Sequence, residues 1–417
     1  MTPPKYPSRV VDRFLEYVRF DTQSREGVEA YPSTPGQLDL LQRLADELRE
    51  LGAADVEMDR YGYVFATIPA TTSKREVPVI GFLAHVDTSP EMSGADVRPI
   101  VHRDYRGQDL VLPDDPTVVL RVADHPALAE QVGNDIITAS GKTLLGADNK
   151  AGVAEILGAV EVLLAHPEIP HGTIRIGLTP DEEVGNGTKY FDVARFGARY
   201  AYTMDGETLG EIESETFSAD TFVATFHGFN THPGYAKGKM VNSIRVAADF
   251  IQRLPVDRLS PETTDGYEGY VHPYVVDASV EKTTVRVLVR DFRTPGLKDK
   301  EDALARWATE AAAAHPGCRL ETRIDESYRN MKEVLERHPE AVENGREGIR
   351  RAGLTVRERP IRGGTDGARL CFMGLPTPNV FAGEHAFHSR SEWVSAHDMH
   401  KAVETIVQIA RVWEERA

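Results

Sequence analysis

Cysteine is scarce: the 417-residue chain has two, Cys318 and Cys371, far apart and without CxxC spacing. That excludes a disulfide framework and a thiolate metal site. Long apolar runs are missing as well. No stretch approaches the roughly 18 apolar residues that a membrane span requires, and the opening "MTPPKYPSRVVDRF" has no secretory h-region, so the expected location is cytoplasmic. Basic residues are in deficit, 48 Lys and Arg against 65 Asp and Glu, for a net charge of -17. Such a surface excludes nucleic acid and anionic membrane as partners. No HExxH occurs, which rules out a zincin helix, and "SGKT" at 140–143 lacks the phosphate-loop glycine because Ile136 stands there.

What is present describes a soluble globular protein, with 41% hydrophobic and 27% charged residues. A chain of this length predicts two domains, or one large domain with an insertion. Helical periodicity runs from Ser8, read as a cap, through Val18, and again after Thr34 and Pro35 along Leu41, Leu44, Leu48 and Leu51. Strands read at 55–60, 63–68 and 77–84, the last apolar on both faces and therefore interior. A long Pro- and Asp-rich connection precedes the helix "NKAGVAEILGAVEVLLAH" and the strands "GTIRIGLT" and "RYAYTM". This alternation predicts an α/β class, a mixed sheet with helices on both faces. From about residue 211 to 325 the order becomes strand, helix, strand, strand, helix, strand, which predicts an inserted α+β domain. Residues 1–210 and 326–417 would then form one discontinuous domain.

Chemistry collects at strand ends. In "LAHVDT", His85 and Asp87 stand at i and i+2, on one face at the carboxyl end of a strand, where open α/β sheets bind ligands. Two readings fit: a metal-ligating imidazole with Asp87 holding its second ring nitrogen, or a loop His beside a turn-forming Asp. Asp148 in "LLGADNKAG" by itself reads as a helix N-cap. "TPDEEVGNG" places Asp181, Glu182 and Glu183 in succession, "YTMDG" ends a strand on Asp205, and "EHAFHSRSEW" carries His388 in a loop. Two imidazoles and three carboxylates from His85, Asp148, Glu183, Asp205 and His388 suit zinc, cobalt or manganese. With Asp148 shared, they would serve two ions.

The motifs "LAHVDTSP", "LLGADNKAG", "TPDEEVG", "TMDG" and "IRGGTDGARL", in this order, resemble the peptidase T group of tripeptide aminopeptidases. These belong to the dizinc exopeptidase family that also includes glutamate carboxypeptidases and aminoacylases. "HPGYAKGKMVNS" and "PTPNVFAGEHAFHSRSEW" extend the likeness over nearly the whole chain. The resemblance implies two zinc ions per subunit, one held by His85, Asp148 and Asp205 and the other by Asp148, Glu183 and His388. Asp87 would orient His85, and Glu182 would be the general base. The inserted domain would be a lid and dimerisation domain whose "NTHPG" offers Asn230 and His232 to the substrate. Arg362 and Arg290 are guanidinium candidates for the carboxylate of a short peptide. Asp181 reads as a turn residue.

The chain departs from that family where "GGxN" is usual before the ligand His: it has Gly383, Glu384, His385 and Ala386. Glu384 and His385 would alter the pocket for the peptide's amino end, and His385 offers a competing imidazole. Tyr235 stands where a smaller residue is usual. The same site chemistry would serve a dipeptidase, a carboxypeptidase or an N-acyl amino acid deacylase. A binding-only protein on this scaffold would have lost Glu182 or a ligand, and none is lost.

Overall fold

A strand apolar on both faces must lie between two layers, and the structure, a computed structural model describing residues 4–417, places Ile80–His85 at the centre of a sheet with all six residues buried. The seven strands follow the order Ala54–Met58, Val64–Ile68, Ile174–Thr179, Ile80–His85, Tyr200–Gly206, Asn379–Phe381 and Ile212–Glu213. The four strands from Ile174–Thr179 to Asn379–Phe381 are parallel, and the flanking pairs are antiparallel. On one face Leu83 packs in a cluster with Phe196 and Leu370. On the other, Phe82 stacks on Tyr202, whose hydroxyl accepts a hydrogen bond from Trp413 Nε1 in the helix Ala396–Glu415. The helix Ala147–Ala165 is apolar around nearly its whole circumference, as a helix with no solvent face must be. It packs on Ile80–His85 and on the helices Val10–Tyr17 and Ala396–Glu415.

Two helix starts differ from the sequence reading. Ser8 is not a cap: the helix begins at Val10, Ser8 Oγ is buried without a partner, and the carboxylate of Glu161 accepts from the Arg9 backbone N–H. Thr34 does not cap either. The helix Gly36–Leu51 starts after Pro35, and Thr34 Oγ1 accepts from Gln37 Nε2 at 3.2 Å. At the first start a carboxylate distant in sequence replaces the local hydroxyl, and at the second the hydroxyl serves a side-chain amide with no side-chain cap on the helix.

The connection after His85 also holds more structure than its composition suggested. Its strands Ile100–His102 and Ile136–Thr138 join Trp393–Ser395 and Glu384–His385 in a small antiparallel sheet, in the order 384–385, 393–395, 136–138, 100–102. This sheet ties the loop before Asp148 to the segment that carries His388.

By internal contact the chain divides into two units. The larger comprises residues up to Ser214, Glu333–Arg359 and Thr365–Ala417; the smaller comprises Glu215–Lys332 and Pro360–Gly364. The smaller unit is an antiparallel sheet in the order Tyr270–Ala278, Lys282–Asp291, Ser218–His227, Arg319–Tyr328, with the helices Ser243–Gln252 and Thr294–Ala314. Alternation along Lys282–Asp291 buries Thr283, Val285, Val287 and Val289, the valines packing with Phe222, Phe226, Phe250 and Leu304.

Candidate active site

Parallel strands bring their carboxyl ends to one edge of the sheet, and four such ends build the site of the larger unit. Ile80–His85 ends on His85, Ile174–Thr179 leads into Asp181, Glu182 and Glu183, Tyr200–Gly206 carries Asp205, and Asn379–Phe381 leads toward His388. Asp148 arrives from the start of Ala147–Ala165. Its backbone and that of Asn149 are non-helical there, and it is Asn149 Oδ1 that accepts the Gly152 N–H at 3.2 Å. The cap is therefore Asn149, which leaves the Asp148 carboxylate free to face two imidazoles.

His85 Nε2 lies 3.0 Å from Asp148 Oδ1 and 3.3 Å from Asp205 Oδ1. His388 Nε2 lies 3.2 Å from Asp148 Oδ2 and 2.8 Å from Glu183 Oε2. These are two triads, His85, Asp148, Asp205 and Asp148, Glu183, His388, each with donor atoms within 4.8 Å of one another. Each imidazole has a partner on its other nitrogen. His85 Nδ1 faces the Asp87 carbonyl at 3.1 Å and its carboxylate at 3.3 Å, and His388 Nδ1 lies 3.4 Å from Glu91 Oε2.

The electrostatics are those of an acidic cradle. Burial, reinforced by Asp148, pushes the Glu183 carboxyl up to about 8. Burial likewise raises Glu182, with Asp366, Asp205 and Glu183 adding to it, and Asp205 moves in the same direction. Asp148 goes the other way: burial opposes its charge, but the hydrogen bonds from His388 and His85 outweigh burial and hold it well below the carboxylate range. Burial also disfavours the His388 cation, yet Asp148 and Glu183 push it up to about 11. The buried carboxylate oxygen Glu183 Oε1 still lacks a hydrogen-bond partner, and Asp205 Oδ1 has only the His85 imidazole at 3.3 Å. An orphaned hard oxygen, a shared Asp148 and neutralisable imidazoles fit a pair of divalent cations.

The three consecutive carboxylates have separate surroundings. Asp181, at a left-handed φ of 57°, accepts from Ser33 N at 2.6 Å, Ser33 Oγ at 2.5 Å and Gln37 Nε2 at 2.7 Å, pinning the loop to the N-terminal segment. The backbone N–H groups of Glu182 and Glu183 donate to the two oxygens of Asp87, at 3.0 and 3.1 Å. Asp87 therefore aligns His85 and the acidic loop at once.

Some supporting residues lie within the quoted motifs, but local spacing does not reveal their role. Glu392 accepts from Leu145 N at 2.6 Å, Gly146 N at 2.7 Å and Asp148 N at 3.0 Å, clamping the turn that delivers Asp148. Lys150 is buried and donates to the Phe20 carbonyl at 2.8 Å. Asp366 accepts from Thr179 Oγ1 at 3.0 Å and packs so tightly on Gly187 that a Cβ there would lie 2.4 Å from its oxygens.

The remaining candidates lie elsewhere. His385 does not compete for the triads: it stacks on Trp393 with ring centroids 4.2 Å apart and faces Glu207 at 3.5 Å. Asn230, His232, Arg290 and Arg362 belong to the smaller unit. Asn230 and His232 are exposed, His232 Nδ1 accepting from Gly234 N and its ring facing Tyr235 at 5.3 Å. Arg290 donates to the Val289 and Asp220 carbonyls at 3.1 and 3.5 Å. Both terminal nitrogens of Arg362 donate within the segment 264–268, and the guanidinium lies over Phe217 and Tyr270. No helix among the described residues is long and apolar enough to cross a membrane.

A model of the peptidase family M20/M25/M40 matches residues 141–412. A peptidase T from Brevibacillus brevis is 46% identical over 410 residues, covering 98% of this chain and 100% of the relative. Among solved structures, a tripeptidase from Staphylococcus aureus subsp. aureus Mu50 superposes with a TM-score of 0.76 at 22% identity, covering 98% of both chains. The aminopeptidase PepT from Bacillus cereus ATCC 10987 gives 0.72 at 24% identity, covering 97% of this chain and 98% of that one.

Proposed function

Because this chain belongs to peptidase family M20/M25/M40, we propose that it is a metal-dependent aminopeptidase that releases the N-terminal residue of tripeptides. The observation that carries this reading is the pair of triads sharing Asp148, with Glu182 beside them on a backbone held by Asp87. Two divalent cations, zinc in this reading with cobalt or manganese as substitutes, would be held by His85, Asp148 and Asp205, and by Asp148, Glu183 and His388. When bound, such ions act as Lewis acids toward a peptide carbonyl and make water nucleophilic near neutral pH.

The chain's own residues do the rest. Glu182 takes the proton of the attacking water and returns it to the leaving amine. Asp87 keeps His85 in its ligating orientation and fixes the backbone of Glu182 relative to it. From the inserted domain, His232 would donate to the oxygen on which charge develops, and Asn230 would be a further substrate contact. Arg362, with Arg290 as the second candidate, would take the substrate carboxylate, each exchanging hydrogen bonds made within its own unit. The substrates are short peptides, the location is cytoplasmic, and the enzyme is a homodimer joined through the inserted domain.

Metal-supplemented incubation with di-, tri- and tetrapeptides, free or blocked at each end, tests the reading when products are identified by mass. Release of the first residue from free tripeptides is expected. Cleavage of N-acetylated tripeptides at the acyl bond would assign a deacylase instead, and release from the carboxyl end a carboxypeptidase. Glu182→Gln should lower kcat by about 100- to 10,000-fold with unchanged metal content; near-normal turnover would remove Glu182 from the base role.

A further inference from the structure

Glu384 is 2% exposed, and its Oε2 has no hydrogen-bond partner. A buried carboxylate oxygen without a donor is costly, and such groups in folded proteins call for a specific explanation. Its orientation follows from the strand it occupies. Glu384 pairs with Val394 and His385 with Trp393, and adjacent strand residues point to opposite faces. Since the His385 ring lies against Trp393 and Glu207, Glu384 points the other way.

The strand Glu384–His385 packs against the helix Ala147–Ala165, which carries Asp148, and His388 follows four residues later. Burial holds the Glu384 carboxyl well above the carboxylate range, and the charges of Asp148 and Asp205 reinforce this. It belongs to neither ligand triad. The carboxylate is thus beside the centre but outside the donor sets, where a cation from the substrate is the partner it lacks. A free peptide amino terminus is such a cation, and the charge-assisted hydrogen bond from ammonium to carboxylate is among the strong ones.

We propose that Glu384 is the anchor for the α-ammonium group of the substrate, a specificity-determining residue for peptides with a free amino end. This rests on the aminopeptidase reading above. The backbone supports a fixed geometry: Gly383, Ala386 and His388 have φ of 78°, 51° and 59°, so three left-handed residues set the path around the glutamate.

The test is equilibrium binding in the zinc-loaded Glu182→Gln enzyme, measured by calorimetry with alanyl-glycyl-glycine and with propionyl-glycyl-glycine, which lacks only the amino group. The free amine should bind about 10- to 100-fold more tightly. Glu384→Gln should bring the two ligands to within about threefold with unchanged metal content and melting temperature. Glu384→Gly is the second variant should the amide fail to fold. An amine preference that persists in either variant, no preference in the parent enzyme, or loss of bound metal from the variants would overturn the assignment. Failure of the aminopeptidase reading is separately visible as cleavage of N-acetylated tripeptides by the wild-type enzyme.

Discussion

Asp181, Glu182 and Glu183 are neighbours in sequence that answer to different partners, and a single residue change separates their tasks. Asp181 satisfies Ser33 and Gln37 from a left-handed backbone. Asp181→Ala would leave Ser33 N and Oγ without that acceptor and place a Cβ-bearing residue without a polar side chain at positive φ, a loss of about 2–4 kcal/mol. Asp181→Asn keeps an acceptor and tolerates that conformation, so denaturant melts should show it less destabilised than the alanine variant. Asp87 offers a sharper contrast. It receives two backbone N–H groups and faces His85, which an acceptor-only carboxylate can do and an amide cannot. Asp87→Asn should weaken metal binding by about 10- to 100-fold, read by competition with a chromophoric chelator, and excess metal should restore part of the activity.

At the scale of elements, the helix Ala147–Ala165 must approach the strand Tyr200–Gly206 closely enough to set Asp148 beside Asp205 through His85. Gly152 permits that approach: a Cβ there would lie 2.0 Å from the Met204 carbonyl oxygen and 2.3 Å from the capping Asn149 Oδ1. Gly152→Ala should therefore destabilise by about 1–3 kcal/mol and reduce metal content, although alanine favours helices more than glycine. A rise in melting temperature with full metal content would show that the packing is looser than these distances indicate. The helix itself was legible from its apolar run and the strand from its ending on Asp205. The cap was not. Asp and Asn are both good caps, and only the tertiary demand on Asp148 from two imidazoles assigns the role to Asn149.

Over the whole molecule, an acid-rich chain hides part of its charge. Asp398, fully buried in the helix Ala396–Glu415, accepts from Gln131 Nε2 at 2.8 Å, its other oxygen has no partner, and burial pushes its carboxyl up to about 7. A native pKa above the unfolded one gives stability that is full below the unfolded value and lost as pH rises through the native one. Melting temperature should thus fall between roughly pH 4 and 7 through this group, and Asp398→Asn, which mimics the protonated form, should gain up to about 4 kcal/mol over wild type at pH 8. The sequence alone determined the residue types that could ligate cations, their places at strand ends, the interior strand, the alternating strand of the inserted domain and the family likeness. Each of these is encoded within a few consecutive residues, where periodicity and spacing set the geometry. Only the tertiary structure decided which partner holds which ligand. Glu392 grips the turn of Asp148 from 244 residues away, Asp181 reaches Ser33 across 148, and His385 is drawn from the ligands to Trp393. Such contacts depend on how the strands and helices pack, and no local pattern in the chain records them.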